Sequence, residues 1–338
     1  LKTFKLLQLK FVFYYNEKKI DNKHKSMMSR IISIDGHDIE LSHTEKLLFP
    51  DISKGELIEY YQRIADTMLP YIQDRPITMQ RYPEGIETGG FFHKDAPDYF
   101  PDWIERKEIK KKENGLTHYV ICNDTATLVY LTNYDMITPH IWLSTIDKLD
   151  YPDRMIFDLD PPRDDFSRVQ AGAELLKNIF DAMEITTFVM TTGSKGAHVI
   201  IPLDQTASFD ITRECSQQIA QKLAQDNPDM LTTEIRKSKR GDRLFIDTGR
   251  NAYAQTGVAP YAIRARMGGP IATPLRWDEL LRPDMTSQAY TIKTIFRRLS
   301  HIDHDPWHDI HTYQYAIDTI QKRWKEIENE PFTMEKNI

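Results

Sequence analysis

Asp158 and Asp160 stand two residues apart in Met155-Ile156-Phe157-Asp158-Leu159-Asp160-Pro161-Pro162, so a strand here puts both carboxylates on one face and Phe157 and Leu159 on the other. The two prolines end that strand. Hard oxygen ligands converging at a strand end suit Mg²⁺ or Mn²⁺, and two such ions roughly 3.5–4 Å apart activate phosphoryl and nucleotidyl transfer. Taken alone, Asp-x-Asp fits a solvated strand end equally well. Asp247 closes the run Leu244-Phe245-Ile246-Asp247 in the same manner and offers the third carboxylate of a two-metal site.

Between these acids lies Thr191-Thr192-Gly193-Ser194-Lys195-Gly196-Ala197-His198. Glycines at both ends of a tight turn let backbone amides converge, and Ser194 and Lys195 add a hydroxyl and an ammonium, the parts of a triphosphate cradle that is not a Walker A loop. An ordinary glycine hairpin with a solvated lysine is the alternative. His198 fits either the pocket or a satisfied core position. Five cations crowd Arg236-Lys237-Ser238-Lys239-Arg240-Gly241-Asp242-Arg243, and Arg250, Arg264 and Arg266 follow. The run Arg106-Lys107 with Lys110-Lys111-Lys112 leads into Asn114-Gly115 and reads as the solvated tip of a hairpin.

The elements that position these residues follow from periodicity and capping. Residues 31–41 form a strand, an Asp35-Gly36 turn and a second strand. Ser53 caps a helix over 54–69, with Leu57, Ile58, Tyr61, Ile64 and Ala65 at helical spacing and Pro70 as its end. Strands are expected at 77–81, 119–121, 155–160, 187–191, 198–203 and 243–247, and helices at 167–183 and 210–225. Residues 1–28 are set apart as a basic extension or linker, with seven lysines against Glu17 and Asp21; 29–311 form the catalytic domain, and 312–338 a C-terminal helix or tail.

A chain of 338 residues with 40% hydrophobic content supplies one large core or two modest ones. Its net charge of −6 gives no basic surplus, so nucleic-acid binding requires a local patch. No apolar run is long enough to span a membrane, and no membrane partner is expected. Cys122 and Cys215 lack any metal or disulfide spacing and read as buried thiols of a reducing, cytoplasmic setting.

These residues, in this order, resemble the polymerase domain of bacterial ATP-dependent DNA ligase D, a branch of the archaeo-eukaryotic primase superfamily that acts in non-homologous end joining. The likeness runs from about His43 to Trp307. It rests on His43-Thr44-Glu45-Lys46 with Phe49-Pro50, Arg75-Pro76, Arg81-Tyr82-Pro83-Glu84-Gly85, Phe91-Phe92-His93-Lys94 and the carboxylate and turn motifs above. Val258-Ala259-Pro260-Tyr261 and Thr273-Pro274-Leu275-Arg276-Trp277 complete it.

The resemblance implies a mixed α/β (α+β) fold, with two β-sheets and flanking helices around a catalytic cleft. It implies Asp158, Asp160 and Asp247 as catalytic ligands of Mn²⁺ or Mg²⁺. It assigns the nucleotide to His140, Thr192, Ser194, Lys195, His198, Arg240, Arg250, Thr256 and Arg264, with His140 near the sugar. Lys46 and Lys54 take a downstream 5′-phosphate, one of Phe91 and Phe92 stacks on template with the other free for a core role, and Arg81 joins the DNA-binding set. Its substrates are ribo- or deoxynucleoside triphosphates and gapped DNA ends, its partners Ku and a DNA ligase, and it favours ribonucleotides.

The turn begins Thr-Gly where Ser-Gly is frequent in the family, which preserves the hydroxyl. No Lys-x-Asp-Gly adenylation motif is present, so a ligase module is not visible and the chain is expected to be a stand-alone polymerase or a piece of a larger enzyme. His301, Asp303, His304, Asp305 and His308 have the composition of a metal site, but Pro306 breaks the helix that would align them, and a polar domain terminus is expected instead. A primase that starts chains without a primer, or a non-catalytic DNA-end binding module, shares part of the same residue pattern.

Overall fold

The computed structural model describes residues 30–110 and 115–333. The extension assigned to 1–28 lies outside them, as do Lys111, Lys112 and Asn114 of the basic hairpin tip.

Strand alternation builds two main sheets. The first runs Leu231–Thr232, Leu244–Asp247, Arg154–Asp160, Ala197–Pro202, Phe188–Thr191, Pro274–Leu275, and its central strands pair antiparallel. Met155, Phe157 and Leu159 point to one face and pack under helices Phe166–Ala182, Phe209–Asp226 and Ile317–Ile327. Ile156 points the other way, into a core shared with the second sheet. That sheet runs Thr256–Val258, Met136–Trp142, Pro76–Arg81, Leu116–Ile121, Arg106–Lys110, with the short edge strand Phe91–His93 attached to Pro76–Arg81.

At the base, a buried charge cluster ties the sheets together. Arg75, just before Pro76–Arg81, donates to both carboxylate oxygens of Asp153, the nearer-normal bond being 3.0 Å, and Arg154 Nε donates to the same group at 3.1 Å. Burial would raise the Asp153 carboxyl, but the two guanidinium groups hold it well below the usual carboxylate range.

The hairpin Arg30–Ile34 and His37–Leu41 turns at Asp35 and Gly36, both with positive φ, as an Asp-Gly turn requires. Ser53 caps helix Lys54–Ile72 with a reciprocal box: Ser53 N–H donates to Glu56 Oε2 at 2.7 Å and Glu56 N–H to Ser53 Oγ at 3.3 Å. The expected stop at Pro70 is corrected. The helix passes through it to Ile72, because both Pro70 and Asp66, whose carbonyl loses its partner, are exposed to water while Tyr71 and Ile72 gain burial in the core.

The tail assigned to 312–338 carries helix Ile317–Ile327, whose Ile317, Ile320 and Trp324 share the core outside the first sheet. In the histidine-rich stretch, Asp305 accepts hydrogen bonds from the hydroxyls of Tyr71, at 2.6 Å, and Tyr261, which makes it a buttress of the aromatic core. Cys122 and Cys215 are buried free thiols. Among the described residues, no helix is long and apolar enough to cross a membrane.

Candidate active site

Asp158 lies at the centre of the first sheet, directly opposite Asp247 on one side and His198 on the other. Directly opposed residues share a face, so the register of three strands brings these groups and Asp160 together. One carboxylate oxygen each from Asp158, Asp160 and Asp247 lies within 4.8 Å of the others.

The three acids are held differently. Asp158 is 5% exposed; burial would raise its carboxyl, but His198 Nε2 at 3.5 Å from Oδ1 and Arg250 Nε at 3.3 Å from Oδ2 hold it down at about 2. Asp247 Oδ1 accepts the Gly249 N–H at 2.7 Å. Asp160 has no cation of its own: burial, then the charges of Asp158 and Asp247, push it up to about 6. An all-carboxylate oxygen set with a deficit of positive charge is the donor set that Mg²⁺ and Mn²⁺ take, so these residues fit a divalent ion.

The glycine turn lies against the carboxylate strand. A side chain at Gly196 would meet the Leu159 carbonyl oxygen at 1.9 Å, and Gly193 has φ +64° with Arg264 Cγ 2.8 Å from where its Cβ would stand. Both glycines therefore answer to close packing and backbone conformation. Thr192 is largely committed to the turn: Oγ1 accepts Gly196 N–H at 3.3 Å and Ser194 N–H at 3.4 Å, and the Thr192 carbonyl accepts Arg264 Nη1 at 2.8 Å. Ser194 is half-buried, its carbonyl accepting from Gln288. Lys195 projects outward and pairs with exposed Asp164 at 2.9 Å.

Arg264 is half-buried; burial, then the neighbouring Arg266, lowers its guanidinium to about 10. Arg250 also reaches the Thr256 carbonyl at 3.4 Å, so Thr256 enters the site through its backbone. Arg240 lies 3.6 Å over the ring of Phe245, which opposes Asp160, while Nε and Nη2 bond the carbonyls of Glu234 and Ile235. Part of the basic run thus knits its own loop.

On the second sheet, His140 opposes Thr78 on one side and Val258 on the other. His140 Nε2 and Thr78 Oγ1 are both buried without a hydrogen-bond partner. Burial, then Arg264 and Arg250, keeps His140 well below the ordinary histidine range, hence neutral. Phe92 packs edge-on to His140 with centroids 5.3 Å apart. Phe91 and Phe92 are 49% and 57% exposed, which corrects the core role expected for one of them: an edge strand of three residues leaves both rings largely open to water.

Lys46 donates to the Pro83 carbonyl and lies 3.3 Å from Glu84. Lys54 is 3% exposed, 3.2 Å from Asp135 and 3.5 Å from Ser42 Oγ. Burial lowers its ammonium and Asp135 opposes that shift, so it is a buried charge and not a solvated one. Arg81 shares Asp135 at 3.9 Å.

Two supporting residues escape the sequence reading. Asn251 gives both ends of its amide to the Ile156 backbone, accepting N–H and donating to C=O at 2.8 Å each, and so continues the ladder beyond Asp247. Nothing local distinguishes it from any loop asparagine. Thr78 is a lone polar residue between Ile77 and Met79, a signal present in the sequence.

Comparison with known proteins identifies relatives in both sequence and fold. Residues 53–307 match the model for "LigD, primase-polymerase domain". The bifunctional non-homologous end joining protein LigD of Bacillus subtilis is 32% identical over 77% of this chain, and the multifunctional LigD of Mycolicibacterium smegmatis is 31% identical over 73%. The chain spans 42% and 33% of those relatives' lengths. The polymerase domain of Mycobacterium tuberculosis ligase D, solved in complex with DNA, superposes with a TM-score of 0.75 at 26% identity, covering 81% of this chain and 98% of that one.

Proposed function

This chain belongs to the LigD primase-polymerase domain family, and from that premise we propose that it is a metal-dependent, template-directed nucleotidyltransferase that fills gaps at broken DNA ends. One observation carries the reading: three carboxylates from two paired strands within 4.8 Å of one another, with Asp160 pushed up to about 6 by burial and by the charges of the other two. A non-catalytic end-binding module has no use for that arrangement.

Divalent ions held by Asp158, Asp160 and Asp247 would acidify a primer 3′-hydroxyl and bind triphosphate oxygens. Arg250 and His198 orient the Asp158 carboxylate from two sides. Arg264, fixed by the Thr192 carbonyl, and Lys195, free to exchange Asp164 for phosphate, offset negative charge on the leaving pyrophosphate. Neutral His140, with Thr78 beside it, offers unpartnered polar atoms to the sugar, which favours a ribonucleotide. Phe92 presents its ring to a template base, and Lys46 and Lys54 receive a downstream 5′-phosphate. A ligase and an end-binding protein of the Ku kind are the partners such a gap-filling step calls for.

The test is extension of a gapped, 5′-phosphorylated duplex beside an unprimed template, with ribo- and deoxynucleotides and with Mn²⁺ or Mg²⁺. Primer extension on the gap supports the reading. Synthesis on the unprimed template alone turns it into a primase, and no synthesis on either overturns it.

A further inference from the structure

Pairing of Phe91–His93 with Pro76–Arg81 sorts the edge side chains between two faces: Phe92 goes with Gln80 toward the cleft, Phe91 and His93 with Arg81 and Met79 to the reverse. On that reverse face the rings continue. Centroids of Phe91 and His93 are 6.1 Å apart, His93 and Tyr134 6.0 Å, Tyr134 and Tyr99 6.0 Å. Tyr99 is 67% exposed, yet it is not loose: it meets Phe100 edge-on at 5.8 Å, and its hydroxyl hydrogen-bonds that of Tyr134. A ring held at its edge and hydroxyl with its surface open to water is ordered in advance, so a planar ligand stacks on it without a large ordering cost.

The surroundings select the ligand. Arg81 lies 3.5 Å over the Tyr134 ring and 5.5 Å from that of Phe91, and its Nε donates to the Tyr134 carbonyl at 2.7 Å, which places a fixed positive charge among the rings. Asp135 links Arg81 to buried Lys54, and Lys94 is exposed next to His93. Aromatic faces interleaved with cations suit single-stranded nucleic acid, whose bases stack and whose phosphates need neutralising. A strand that stacks on Phe92 in the cleft has only to turn the three-residue edge to reach Phe91 and Tyr99.

We propose that Tyr99, with Phe91, is a stacking site for unpaired nucleobases of a single-stranded tail that leaves the cleft around the Phe91–His93 edge. The proposal rests on the reading of the chain as a DNA-end polymerase and adds a subsite on the opposite face of the sheet. The rings bind bases without regard to sequence, because every base has a π-face.

Fluorescence anisotropy of the chain with three 5′-phosphorylated duplexes tests it: one blunt, one with a short thymidine tail and one with an abasic tail of equal length, the tails placed on the 5′ or the 3′ strand in separate arms. The unmodified chain is expected to bind the thymidine tail about tenfold more tightly than the abasic one in at least one arm. Tyr99→Ala removes that preference and leaves blunt-end affinity unchanged, while Tyr99→Trp retains it. Equal binding of thymidine and abasic tails by the unmodified chain, or a preference that survives Tyr99→Ala, overturns the stacking site alone if blunt DNA is still bound. Absence of affinity for every duplex overturns the DNA-end reading with it.

Discussion

Asp158 and Asp247 face each other as a directly paired couple across two antiparallel strands. Like charges in this relation repel, and here one of the pair is 5% exposed, so water screens it poorly. The sheet keeps an unfavourable pair that a bound cation turns into a favourable one. Asp158→Ala or Asp247→Ala is therefore expected to abolish nucleotide addition with DNA affinity largely retained. Asp247→Asn is expected to stabilise the metal-free chain by roughly 1 kcal/mol. Extension rates near those of the unmodified chain in either alanine variant would sink the three-carboxylate assignment.

Acidity separates two members of the site. Asp160 is raised to about 6 on folding, so the folded chain binds this proton more tightly than the unfolded one. Its contribution to stability is full below about pH 4 and lost as pH rises through about 6. Asp158, held at about 2, works in the opposite sense: its contribution is present above about pH 4 and lost in stronger acid. Melting of chelator-treated chain should show the Asp160 loss between about pH 4 and 6. Asp160→Asn should flatten that segment, and Mn²⁺ should raise the melting temperature most above about pH 6, where Asp160 is ionised.

Lys195 and Asp164 form an exposed pair at the mouth of the turn. In the proposed triphosphate site a phosphate would compete with that carboxylate for the ammonium. Lys195→Ala should raise nucleotide KM about tenfold with a smaller effect on kcat, and Asp164→Asn should lower KM by freeing the lysine. Steady-state kinetics on a single-nucleotide gap separate the two; unchanged KM in both variants removes Lys195 from the triphosphate.

In the proposed 5′-phosphate site, Lys46 and Lys54 are not equivalent. Lys46 is partly exposed, while Lys54 neutralises Asp135 from within the fold. Lys46→Ala should reduce the preference for 5′-phosphorylated over unphosphorylated gaps with little change in melting. Lys54→Ala should reduce it and also destabilise the chain by up to about 3 kcal/mol, because Asp135 loses its nearest cation. Equal affinity of the unmodified chain for both gaps dismisses the phosphate assignment.

We expect sugar choice to depend on His140 and Thr78, opposed residues whose polar atoms lack partners. A deoxynucleotide leaves such a buried group unpaired, whereas a ribonucleotide satisfies it. We expect higher kcat/KM for the ribonucleotide and a preference reduced about tenfold by His140→Phe or Thr78→Val. Gap-filling with both sugars measures this, and a deoxynucleotide preference in the unmodified chain refutes it.

Much of the local structure is legible along the chain because strands and helices carry their own periods. Asp158 and Asp160 share a face by spacing alone, Ser53 and Glu56 announce a capped helix, and Asp35-Gly36 announces a turn. The family resemblance, read from ordered motifs, anticipated the two-sheet architecture. Pro70 misled, since a proline in a helix's last turn loses a bond that water replaces when the residue before it in the ladder is exposed.

What only the tertiary structure decided is register and burial. Asp247 falls opposite Asp158, and not opposite a neighbour, because strand pairing is set by how the whole sheet packs under its helices; a slip of one residue would send the carboxylate into the apolar face. Lys54 is buried because Asp135, far away in sequence, meets it there, and both phenylalanines are exposed because their strand is an edge. Asn251 and the unpartnered pair His140 and Thr78 acquire their roles in the same way. Side-chain direction follows from a period of two along one strand, but which groups it meets depends on contacts between segments that no local pattern encodes.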